Sequence, residues 1–196
     1  MMHNHSFIFT TRLPIQGVFF LYIKNKKIKG GLKKMKINQE LYHMLLDQYN
    51  EEHLNDAIYQ SMENWCKFNG FDGHAHWMHI QALEEREHAE KIKTFLEAVG
   101  ERVVKREVPA PATEFVSIED IWAKGVDAEE RTTQNIYDIF YKAREVKDAW
   151  TEDFIHWFIE EQREEEENFK GNLAKAQKCA ANCYMELDKE CARRKA

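Results

Sequence analysis

Glutamate recurs at positions where a buried helix face should carry an apolar residue. Side chains spaced by three and four residues share one face of a helix. One such stripe reads Leu41, Leu45, Gln48, Glu52, Tyr59, Met62 and Cys66. A second reads Met78, Gln81, Glu85, His88, Ile92, Phe95 and Val99. The third is Ile118, Trp122, Val126, Glu129, Ile136 and Phe140, and the fourth is Phe154, Trp157, Phe158, Glu161, Glu165 and Phe169. Each stripe is apolar above and below, with glutamate near its middle. A lone carboxylate in an apolar core costs several kcal/mol or takes up a proton. Four at one level would repel each other unless cations sat among them. Glu52, Glu85, Glu129 and Glu165 carry four negative charges, which balance two divalent ions. His88, one turn from Glu85, adds a nitrogen ligand. Oxygen-rich ligation with one imidazole suits iron or manganese better than zinc or copper(I).

The elements that must present these residues are helices. Periodicity predicts a first helix over residues 37–66, broken by Asn69-Gly70-Phe71-Asp72-Gly73. A second is expected over 72–99, with Gly100 in the position of a C-terminal glycine. Residues 101–116 hold Pro109 and Pro111 without a clear period and read as a long connection. Ser117-x-x-Asp120 resembles a capping start for a third helix to about residue 146. A fourth is expected over 149–175 and a short fifth near 182–193. The fold class is therefore all-α: a four-helix bundle with a long crossover between helices two and three, plus a short C-terminal fifth helix. With 8 Gly and 3 Pro in 196 residues, an all-β fold needing frequent turns is excluded.

Charge is uneven along the chain. Residues 1–34 carry seven bases and no acid, which leaves 21 bases against 34 acids in residues 35–196, a net charge of −13. A body that acidic repels nucleic acid and anionic membrane and attracts cations. Within residues 1–34 the longest apolar run is Val18-Phe19-Phe20-Leu21-Tyr22-Ile23, far short of the ~20 residues a membrane helix needs. Its lysines follow the apolar run, which is the wrong order for a signal peptide. Residues 1–34 are expected to be an N-terminal extension, unstructured or upstream of a true start at Met35, with one domain over 35–196. Cys66, Cys179, Cys183 and Cys191 form no C-x-x-C pair and read as reduced cytosolic thiols. Cys179 and Cys183 are expected one turn apart on a helix face, as small apolar residues rather than ligands of a soft metal.

Taken in order, these residues resemble non-haem bacterial ferritin, over residues 35 to about 194. The landmarks are Glu52, Tyr59-Gln60-x-Met62, Trp65-Cys66, Phe71-x-Gly73, Glu84-Glu85-x-x-His88, Glu129-x-x-x-x-Gln134 and Trp157-x-x-x-Glu161-Gln162-x-Glu164-Glu165-Glu166. The resemblance implies that Glu52, Glu85 and His88 hold one iron of a ferroxidase centre. Glu85 would bridge to a second iron held by Glu129 and Glu165, with Gln162 close by. Glu84, Glu161 and Glu164, sharing Glu165, match a third iron site. Tyr59 matches a tyrosine that hydrogen-bonds to the centre or donates an electron, and Trp157 reads as core beside it. A haem-ligating methionine, as in bacterioferritin, is absent: Arg86-Glu87 stands between Glu85 and His88. Rubrerythrins carry a second Glu-x-x-His on the last long helix, where this chain has Gln162-x-x-Glu165.

By this resemblance the chain is a cytoplasmic iron-storage ferritin, a ferroxidase using O2 or H2O2, assembled as 24 identical subunits around a mineral. Two other readings make different predictions. A rubrerythrin-like di-iron peroxidase or oxygenase keeps its metal pair and stores nothing. A non-catalytic bundle uses its glutamates only for solubility. One departure from the family is His74, His76 and His79, which helical geometry keeps from converging on one metal and which are expected in solvated positions. The other is the tail from Cys179 to Cys191.

Overall fold

Local chemistry sets the helix ends in the computed structural model, which describes residues 36–179 and 183–195. The expected extension, 1–34, lies outside the described residues. Among the described residues there are five helices and no strand: α1 (Gln39–Phe68), α2 (Asp72–Ala98), α3 (Ile118–Glu145), α4 (Ala149–Lys178) and α5 (Tyr184–Cys191). Asn38 caps α1, its Oδ1 accepting from the backbone N–H of Glu40 (2.8 Å) and Leu41 (3.3 Å). Ser117 caps α3 as expected, Oγ accepting from the Asp120 N–H at 3.1 Å. Asp148 caps α4 through the N–H groups of Trp150 and Thr151. Gly100 ends α2 with φ +84°, a conformation L side chains rarely adopt, and the Glu101 N–H then returns to the Leu96 carbonyl at 2.9 Å.

The long connection makes the topology. Residues 101–117 run along the outside of α1, from Tyr42, whose hydroxyl donates to the Arg102 carbonyl, to Ser61, whose hydroxyl donates to Ala112. Asn50 grips the strap midway, donating to the Val104 carbonyl and accepting from the Arg106 N–H. The chain therefore starts α3 beside the end of α1. As a result α2 and α3 run parallel, and α1 packs on both α2 and α3 while α3 packs on α4.

Two apolar clusters fill the bundle, one on each side of a polar layer. One contains Tyr59, Met62, Cys66, Met78, Trp122 and Phe169, and the other Leu41, Leu45, Ile92, Leu96, Ile136 and Phe158. Between them lie Gln48, Glu52, Asn55, Gln81, Glu85, His88, Glu129, Thr132, Gln162 and Glu165, all buried. Gly125 is required by packing, because a Cβ there would lie 2.3 Å from the Phe169 ring. Gly73 lets α5 close on α2, since its Cβ would meet the Asp188 carbonyl oxygen at 1.8 Å.

Three expectations need correction. Helix α4 ends at Lys178 and Cys179 is extended, so Cys179 and Cys183 do not share a helix face. They are joined as a disulfide across a Cα–Cα distance of 5.2 Å, and only Cys66 and Cys191 are free thiols, both buried. The short helix begins at Tyr184, later than its periodicity implies. His74 is not solvated. Its backbone N–H and Nδ1 both meet Asp188 Oδ1, at 2.9 and 2.7 Å, holding α5 against α2. His76 and His79 are exposed, as expected.

Candidate metal centre

Each helix brings its glutamate to the same depth of the bundle. Helix α1 presents Glu52 one turn beyond Gln48 and two turns before Tyr59, and α2 presents Gln81, Glu85 and His88 on one face. Glu129 comes from α3, and Gln162 and Glu165 from α4. The carboxylates are almost wholly withdrawn from solvent: Glu52 and Glu129 are 0% exposed, Glu85 1% and Glu165 4%, with His88 at 3%. Within each of three sets, the potential ligand atoms lie within 4.8 Å of one another: Glu52–Glu85–His88, Glu85–Glu129–Glu165 and His88–Glu161–Glu165. Glu85 belongs to the first two sets and so stands between them.

Neighbours hold one oxygen each of Glu52, Glu85 and Glu165, and both oxygens of Glu129. Gln48 Nε2 donates to Glu52 Oε1 at 2.9 Å. Gln81 Nε2 donates to both Glu85 Oε1 (3.0 Å) and Glu165 Oε1 (2.9 Å). The Tyr59 hydroxyl donates to Glu129 Oε1, and Gln162 Nε2 donates to Glu129 Oε2 at 3.1 Å. Glu52 Oε2 and Glu165 Oε2 are buried with no partner. Orphaned carboxylate oxygens are rare in native interiors because each forfeits its hydration. Here they face acidic neighbours, so either a proton shared between carboxyls or a divalent cation fits them.

Electrostatics follow from that crowding. Burial, then Glu85, raises the Glu52 carboxyl well above the usual range. Burial and the charges of Glu129 and Glu85 do the same to Glu165, and burial with Glu85 lifts Glu129 to about 7. Burial works on Glu85 in the same direction, but His88, Glu52 and Gln81 outweigh it and hold Glu85 low. His88 is raised, burial being outweighed by Glu85, with Nδ1 3.8 Å from Glu85 Oε2. Without a cation the cluster therefore holds protons; a divalent cation replaces them.

This acid-lined four-helix core has close relatives. The family described as Ferritin-like domain matches residues 42–179. The chain belongs to the ferritin family. It is 32% identical over 147 residues to a bacterial non-heme ferritin of Staphylococcus haemolyticus, covering 75% of this chain and 89% of that protein. It is 35% identical to that of Staphylococcus saprophyticus over 70% of this chain and 82% of the relative. Among solved structures, an open pore ferritin from the archaeon Archaeoglobus fulgidus superposes with a TM-score of 0.79 at 28% identity, covering 81% of this chain and 98% of that one. A humanized archaeal ferritin gives 0.80 at 27%, covering 82% and 100%.

Against these ferritins, the remaining site residues divide. Trp157 is half-buried and edge-on to His88, ring centroids 5.5 Å apart, with Lys91 Nζ 4.3 Å above its ring. Glu161 is half-buried beside the centre, whereas Glu164 is exposed and belongs to none of the three sets. Glu84 is turned to Arg194, with which it forms an ion pair. Sequence reasoning assigned no role to Gln48 and Gln81, although both lie on the same inward stripes as the glutamates they hold. It missed Arg194 altogether, and no local signal marks it.

Proposed function

We propose that this chain is the subunit of an iron-storage ferritin, with a ferroxidase centre formed by Glu52, Glu85, His88, Glu129 and Glu165. The observation that carries the reading is the burial of four carboxylates within reach of one another, two of them with an unpartnered oxygen. Fe(II) is the substrate. Glu52, Glu85 and His88 would hold one ion and Glu85, Glu129 and Glu165 a second, so that four negative charges meet two divalent cations.

The protein's part is positioning and charge matching. Hard carboxylate oxygens favour Fe(III) over Fe(II), which drives oxidation; each Fe(II) gives one electron to the oxidant, O2 or H2O2. Gln48 and Gln81 hold one oxygen of Glu52, Glu85 and Glu165 in place, and the unpartnered oxygens of Glu52 and Glu165 are left to turn toward iron, while Gln162 and Tyr59 each hold one oxygen of Glu129. Tyr59 keeps Glu129 oriented through its hydroxyl and is the nearest phenol able to supply an electron. Apolar layers above and below exclude water. Ferric product is hydrolysed and stored as oxyhydroxide in a hollow shell, which the resemblance sets at 24 subunits and no haem.

Aerobic Fe(II) addition followed by size-exclusion chromatography with iron analysis tests this. Iron should be oxidised and elute with a large assembly at far more than the paired site holds. Iron that stays at the paired site, with no mineral, would support the rubrerythrin-like peroxidase or oxygenase and overturn storage. Absence of Fe(II)-dependent O2 or H2O2 consumption would leave only the non-catalytic bundle.

A further inference from the structure

The carboxylate Glu84, which the resemblance assigns to a third iron, is already neutralised by the chain itself. Arg194, just past α5, reaches back 110 residues to pair with Glu84 Oε2. Its side chain is only 16% exposed. Nη1 donates to the Trp77 carbonyl at 3.2 Å, and the guanidinium carbon lies 3.8 Å above the Trp77 ring. Nη2 also donates to Gln81 Oε1 at 3.0 Å. The backbone around it is anchored too, since the Arg194 carbonyl meets His76 Nε2 at 2.9 Å and α5 is held by the His74–Asp188 pair.

A guanidinium only donates hydrogen bonds and stays charged at any working pH. It therefore fixes which end of the Gln81 amide faces it. With Oε1 taken by Arg194, Nε2 must face the centre, where its two N–H groups serve Glu85 and Glu165. Flipped, the amide would aim an oxygen at two carboxylates. We propose that Arg194 is a built-in cation: by pairing with Glu84 it withholds that carboxylate from a third metal ion and, through Gln81, it aligns Glu85 and Glu165 for the paired site. This rests on the di-iron reading above and adds a positioning residue to it.

Anomalous-difference maps at the zinc edge, from Zn(II)-soaked crystals of the full-length assembled protein, test the proposal without turnover. Wild type should show peaks at Glu52–Glu85–His88 and Glu85–Glu129–Glu165, with Arg194 seated on Glu84. Arg194→Gln, uncharged and similar in reach, should add a peak with Glu84 among its ligands, distinct from any at His88–Glu161–Glu165. Arg194→Lys, which keeps the charge, should not. A metal peak on Glu84 in wild type, with Arg194 displaced, overturns the proposal, as does an Arg194→Gln map with no metal on Glu84. If Arg194→Gln fails to assemble, the wild-type map decides alone. An absence of metal at the paired site in wild type, after both the Zn(II) soak and an anaerobic Fe(II) soak read at the iron edge, overturns the di-iron reading itself, and with it this one, which separates the two failures.

Discussion

Glu52 shows what the centre costs a metal-free subunit. One of its oxygens is held by Gln48, and burial with crowding against Glu85 keeps the carboxyl protonated when no metal is bound. Ionising it without a metal would put an uncompensated charge in the core, at a cost of several kcal/mol. Glu52→Gln keeps the shape and removes the repulsion, so the metal-free variant should unfold at higher denaturant by about 1–3 kcal/mol. Stopped-flow Fe(II) oxidation should at the same time fall roughly 100-fold; an unchanged rate would remove Glu52 from the site. A pH effect follows at the same scale. Glu129, raised from 4.5 to about 7, binds its proton more tightly folded than unfolded. Its contribution is therefore full below pH 4.5 and is lost as pH rises through about 7, an effect on the order of 3 kcal/mol. Glu52, Glu165 and His88 are shifted in the same direction, while Glu85, held low, opposes them only on acidification below 4.5. Urea denaturation with chelator should show stability falling between pH 5 and 7.5, and added Zn(II) should reverse the fall. A flat profile would mean the carboxylates are not crowded together.

Helix packing depends on two glycines whose hydrogens face other elements. Gly125 admits the Phe169 ring, which also stacks on Tyr59 and meets Trp77 and Trp122 edge-on. Gly125→Ala overpacks this cluster and should cost about 1–3 kcal/mol in chemical denaturation. Gly73 faces backbone and not a side chain, so Gly73→Ala cannot be absorbed by a rotamer change. Helix α5 has to move, taking Arg194 away from Glu84. Limited proteolysis should then cut the C-terminal segment first while α1–α4 stay intact; equal resistance in variant and wild type would refute the α5–α2 seam. The strap over residues 101–117 acts at this scale as well, since its bonds to Tyr42, Asn50 and Ser61 set where α3 begins and hence the level of Glu129.

For the whole molecule the governing quantity is charge. The net −13 over residues 35–196 exceeds what the buried cluster accounts for, and part of it lies along the exposed face of α4, at Glu164 and Glu167. A field of that sign concentrates divalent cations near the protein and is screened within about 8 Å at physiological salt. The initial rate of Fe(II) oxidation should therefore fall as sodium chloride is raised from ~0.05 to ~0.5 M, while saturating turnover stays nearly constant. A rate indifferent to salt would show that the surface charge does not steer iron. No helix among the described residues is long and apolar enough to cross a membrane.

Much of this was legible before any fold was known, because helical periodicity is a local property. A period of 3.6 states which side chains share a face, and glutamates interrupting four apolar stripes identify Glu52, Glu85, His88, Glu129 and Glu165 without knowledge of how the helices meet. Helix ends were legible for the same reason, at Ser117 and Gly100, where a cap or a positive φ is a property of one or two residues. What periodicity cannot carry is contact between distant segments. The short tail illustrates this: helical angles place His74 near the Glu85 stripe, but only the approach of α5 over Gly73 buries it against Asp188. Cys179 and Cys183 look like one helical turn until the end of α4 lets them close on each other. Arg194 reads as one of several basic residues at a chain terminus, yet folding seats it on Trp77 and Glu84. Local pattern determined the candidate ligands; the tertiary structure decided which charges stand beside them, because electrostatic energy depends on distance in space and not on separation along the chain.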